Sequence, residues 1–179
     1  MSGFRFAVAV MSVLFAIAHD IRAATAAREL ATGAFGFEHM ITVPGDPNAT
    51  YDAMTGDISG WWDHTFSKQP ARFFIEPKAG GGFYELFDAQ GNGVQHGVVT
   101  WAERGKRLRF VGPLGLAGNA VDMVVTWDYA AAGDSTRVKL TCRAAGQIEK
   151  GWPELVERVW HHFLDERFKP YVEAKKKNP

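Results

Sequence analysis

The chain has 179 residues, with 20 basic and 20 acidic side chains and a formal net charge of zero. That length suits one domain, and the balance leaves no basic stripe of the kind a phosphate backbone requires, so nucleic acid is not an expected partner. A single cysteine, Cys142, excludes an internal disulfide, and no Cys/His spacing suggests zinc.

Residues 1–5 carry one positive charge, residues 6–18 are almost entirely apolar, and Ala24-Thr25-Ala26 follows. A charged start, an apolar run and an A-x-A cut site read as a secretory signal peptide over residues 1–26. Periplasmic or secreted localisation follows, and the apolar run is too short to predict a stable membrane span after cleavage. Residues 27–36 are Ala/Gly-rich and read as a loose leader.

Residues 37–43 have strand character and stop at Pro44-Gly45-Asp46-Pro47. Asp46 as N-cap and Pro47 at the first helical position then start a short helix, with Tyr51 and Met54 on one face. Residues 57–64 (DISGWWDH) read as a second short helix that contains Gly60.

Strand-like runs follow at residues 72–76, 83–88, 94–103, 107–111, 121–129 and 136–143, separated by Gly-rich turns. That spacing predicts an antiparallel meander. The last element is a long helix opened by Trp152-Pro153, with Leu155, Val156, Val159, Trp160 and Phe163 on one apolar face. Pro170 is expected to kink it or nearly end it, and residues 174–179 form a basic tail. Strands and helices are segregated, so the class is α+β.

Several short motifs, taken in order, resemble one superfamily. They are Ser59-Gly60-Trp61-Trp62, Gly80-Gly81-Gly82-Phe83-Tyr84-Glu85, Gly97-Val98-Val99-Thr100-Trp101, Lys106-Arg107-Leu108-Arg109-Phe110 and Gly133-Asp134-Ser135-Thr136-Arg137. Together they look like the SRPBCC superfamily (START-like, helix-grip), in the branch named for the heat-shock ATPase activator, over residues 37–173. The resemblance implies about seven antiparallel strands curved around the C-terminal helix, with a hydrophobic cavity between them. It implies no particular reaction.

Strand alternation then selects candidate site residues. The family pattern points Phe83, Glu85 and Phe87 inward. Glu85 would then be a carboxylate between aromatic rings, a weak catalytic candidate or a ligand anchor. Trp61 and Trp62 lie about 100° apart if helical, so only one can point fully inward. Trp101, Trp127, Trp160, Met123, Val125 and Phe163 complete an expected ligand-binding lining, which could equally be a filled core. His39, His64, His96, His161 and His162 show no chelating spacing, so no metal and no cofactor is expected. Each reads as structural or solvated, with His64 near the cavity mouth. The leading function is ligand binding, namely an exported binder of a small hydrophobic or aromatic molecule. A cyclase-, dehydratase- or hydrolase-type enzyme using Glu85 and a protein-interaction module are the alternatives.

Overall fold

Alternating apolar residues write one curved, unclosed antiparallel sheet across most of the chain. The computed structural model describes residues 29–177, so the signal-peptide reading lies outside the described residues. From Ala31 onward the chain is one compact unit. Its elements are β1 (Thr32–Pro44), α1 (Pro47–Met54), β2 (Gly56–Asp57), β3 (Arg72–Ile75), β4 (Gly82–Leu86), β5 (Gly93–Glu103), β6 (Arg107–Gly112), β7 (Val121–Ala132) and β8 (Ser135–Gln147). A helix follows in three consecutive parts: α2 (Trp152–His161), a π-helical segment (His162–Phe168) and α3 (Lys169–Lys177). The strand order is β1-β8-β7-β6-β5-β4-β3-β2, antiparallel throughout.

One face of every long strand is buried. Val121, Met123, Val125, Trp127 and Tyr129 alternate inward on β7, with Val138, Leu140, Cys142 and Ala144 beside them on β8. Phe163, Leu164 and Phe168 of the π-helical segment and Trp160 of α2 complete the core opposite the sheet. Burial pushes the Cys142 thiol up to about 12, which leaves it a small hydrophobe in this core.

Several details differ from the sequence reading. The sheet has eight strands, because the two-residue β2 adds an edge beyond β3. The strand expected from Phe37 begins at Thr32, so residues 32–36 are paired with β8 rather than loose. Small residues are what that pairing tolerates: a Cβ at Gly36 would lie 3.0 Å from the Cys142 carbonyl oxygen. The second short helix is a single turn. Trp61 and Trp62 both donate their N–H to Ile58 O, while the Asp57 carboxylate draws in the Ser59 N–H and hydroxyl. Those side-chain bonds compete with a helix, and Gly60 adds nothing to sustain one.

Pro170 does not end the last helix. The chain takes a wider, π-helical turn just before it and continues as α3 to Lys177, so most of the expected basic tail is helical. A proline removes one N–H and crowds the carbonyl a turn earlier, and a wider turn relieves both.

Candidate functional site

The sheet and the last helix do not fill the space between them. A cavity of about 410 Å³ remains toward the β3–β5 side. Trp62, Phe73, Phe83, Met123, Trp160 and Phe163 form its aromatic and aliphatic interior. Its rim comprises Thr65 and Phe66 from the loop before β3, Leu114–Leu116 after β6, and Leu155 and Val159 of α2. Leu114 is held at φ 49°, a region that favours glycine, while its side chain is buried against the cavity.

Rigid rings account for the open space. Trp62 stacks on Phe163 with centroids 3.8 Å apart and meets Phe83 edge-on at 5.2 Å and Trp160 edge-on at 5.8 Å. Flat rings locked against one another have few rotamers with which to collapse inward.

Two bulges in β5 decide which of its side chains reach the interior. Across β4, Phe83 pairs with Gly97 but Tyr84 pairs with Gln95, leaving His96 as the extra residue. His96 and Gly97 are consequently both buried, although they are consecutive. A bulge re-aims a side chain in this way. The His96 ring lines the cavity, and its Nε2 lies 3.1 Å from Glu85 Oε2. The fully buried Glu85 carboxylate also accepts the Phe66 N–H at 2.9 Å and the Ser67 N–H at 2.6 Å. It therefore ties the loop before β3 to the sheet and orients His96 together.

The second bulge lies opposite β6, where Val99 pairs with Phe110 and Trp101 with Arg109. It reverses the parity, so Trp101, expected inward, is 45% exposed on the outer face. There Arg107 and Arg109 lie over its ring. Phe87, also expected inward, is exposed because β4 ends at Leu86 and the chain turns, with Phe87 N–H donating to Asn92 O.

The remaining candidates divide into two groups. Trp62, Phe83, Met123, Trp160 and Phe163 line the cavity. Trp61, Val125 and Trp127 are fully buried in the core beyond it. Trp61 packs edge-on against Phe168, and Trp127 packs edge-on against Phe110 and Trp160. Glu85 stands behind His96 and Phe66. The residue the sequence reading passed over is His96. Its signal was Gly97 inside a strand pattern, which marks a bulge or a close backbone approach.

Polar clusters flank the cavity. Asp63 meets His64 Nδ1 at 2.8 Å, His162 Nε2 at 3.0 Å and Arg167 Nε at 3.1 Å. Glu166 takes the other His162 nitrogen at 2.8 Å. Hydrogen bonds to Glu166 and then Asp63 raise the His162 pKa. Partial burial works against ionisation of Asp63, but the bonds from His64 and His162 outweigh it and hold the carboxyl below its usual value. A second cluster joins His39 to Asp165 at 2.7 Å, with the His39 and His161 rings stacked. Ligand atoms within each trio, Asp63–His64–His162 and His39–His161–Asp165, lie within 4.8 Å of one another. Tertiary structure thus assembles groups that local spacing could not reveal. In the first trio the Arg167 cation already occupies Asp63, which disfavours a metal ion there.

No protein-family model matches the chain, and no curated protein matches it. Solved structures do match. A protein of unknown function from Staphylococcus aureus is 11% identical, over 82% of this chain and 98% of that one, with a TM-score of 0.61. CalU16 from Micromonospora echinospora is 21% identical, over 80% and 83%, with a TM-score of 0.52. DynU16, from the dynemicin biosynthetic locus, is 16% identical over 78% of this chain and 48% of that one, with a TM-score of 0.51. At these identities the likeness establishes a shared fold, and the α+β helix-grip architecture is that fold. Among the described residues no helix is long and apolar enough to cross a membrane.

Proposed function

We propose that this chain is an exported, SRPBCC-type binding protein for a small hydrophobic or aromatic molecule. The observation that carries the reading is the 410 Å³ cavity between Trp62, Phe83, Met123, Trp160 and Phe163. Ligand sites are concave, mostly apolar and supplied with few polar groups, and this one fits that description. The charged, apolar and small-residue order of residues 1–26 supports export. The occurrence of a similarly folded chain in the dynemicin biosynthetic locus is compatible with small-molecule work. The buried Glu85–His96 pair favours one further reading, proton-transfer catalysis on the bound molecule.

The binding role is tested by filling the cavity. Val159 lies on its α2 wall and is half-buried, so Val159→Trp would project a ring into it. An environment-sensitive naphthalene dye titrated into the wild-type protein should bind. Its affinity should fall by about tenfold or more in the variant, equivalent to about 1.4 kcal/mol, with the melting temperature nearly unchanged. Undiminished dye binding in a folded variant would remove the cavity as the site.

A further inference from the structure

We propose that the molecule taken up is a neutral planar aromatic bearing a hydroxyl, and that His96 Nδ1 accepts the hydrogen bond from that hydroxyl. This rests on the cavity being a binding site, and it adds the chemical class of the ligand.

The argument begins at Glu85. An ionised carboxylate is an acceptor only, and Glu85 faces three donors: the Phe66 N–H, the Ser67 N–H and His96 Nε2. The ring proton of His96 therefore sits on Nε2. In the neutral imidazole that leaves Nδ1 as a lone-pair acceptor. Among the described residues Nδ1 has no hydrogen-bond partner, and the ring lines the cavity while only 5% exposed. A buried acceptor without a partner costs about 1–3 kcal/mol, which a ligand donor would recover. The β5 bulge is what aims this ring inward, so the backbone itself is shaped to present it.

The surroundings define the rest of the ligand. Phe66 lies nearly parallel to the His96 ring, 5.5 Å away and 10° off plane. Phe83 and Phe73 approach the same ring at 5.3 and 5.6 Å. Flat walls of this kind suit a flat guest. The only titratable side chains lining the cavity are His64 and His96. A ligand carboxylate beside His96 would meet the Glu85 charge at close range in a weakly screened interior. A cation would find the Glu85 oxygens already engaged by three donors. A neutral hydroxyl matches what remains.

The test is a titration of the mature protein at about pH 8, above the ordinary imidazole value of about 6.5, read by tryptophan quenching. Three probes are compared: 2-naphthol, 2-methoxynaphthalene and naphthalene. In the wild type, 2-naphthol should bind about tenfold tighter than the other two. In His96→Phe, all three should bind alike. A second reading needs no variant: the His96 Nδ1 resonance of 15N-labelled wild-type protein should move on adding 2-naphthol and stay in place with 2-methoxynaphthalene. Equal affinities in the wild type, a preference that survives His96→Phe, or an unmoved Nδ1 signal would overturn the hydroxyl assignment while leaving the cavity as an apolar site. Failure of all three probes to bind would overturn the cavity reading and this proposal with it.

Discussion

Trp61 and Trp62 are chain neighbours with ring centroids 5.4 Å apart, yet they belong to two different interiors. Trp61 is fully buried, donates its indole N–H to Ala53 O, and packs edge-on against Phe168. Around it the sheet, α1 and the last helix close completely. Trp62 donates to His64 O and stacks on Phe163, and beyond it the space stays open. One end of the molecule spends its aromatic residues on close packing. The other holds them as walls and forgoes the dispersion contacts that a filled core would make. A core that can be packed at one end and is left open at the other points to the open end as the place where a ligand supplies the missing contacts.

The sharpest way to break this comparison is to truncate the two rings separately. Trp61→Ala should cost about 3–5 kcal/mol in urea unfolding, because a sealed site cannot collapse around the void. Trp62→Ala should cost less, since part of its surroundings is already open. Equal losses would erase the distinction between the two ends. Glu85→Ala comes next, at about 2–3 kcal/mol, because it strands two buried N–H donors and the His96 Nε2–H. Hydrogen exchange should show the Phe66 and Ser67 amides losing protection before the rest of the sheet.

A smaller effect concerns His162 on the rim of the open end. Its pKa is raised in the folded state by Glu166 and Asp63. A raised folded value means that the stabilisation is fully present below the unfolded value of about 6.5 and is lost as pH rises through the folded value. His162→Gln should therefore lower the melting temperature more at about pH 6 than at about pH 9. A pH-independent difference would show that the ion pairs contribute nothing. The smallest change is expected from Trp101→Ala, under about 1 kcal/mol, because that ring is exposed and held only beneath two arginines. A loss as large as that of Trp61 would contradict its outward placement.

What was legible in the chain was whatever depends on local period and punctuation. Alternation along residues 121–129 and 136–143, the Gly-rich turns and the apolar face from Leu155 to Phe163 were enough for an antiparallel sheet, a closing helix and the α+β class. They also sufficed for Trp62, Phe83, Met123, Trp160 and Phe163 of the cavity wall. The tertiary structure alone decided the rest. A single bulged residue reverses the parity of everything after it, so His96 turned inward and Trp101 outward against a count of two. The meeting of Glu85 with Phe66, Ser67 and His96 depends on a loop folding back across the sheet. Whether aromatic residues fill a core or wall a cavity depends on whether rigid rings from distant elements can interdigitate, and that is a property of three-dimensional packing which no spacing along the chain encodes.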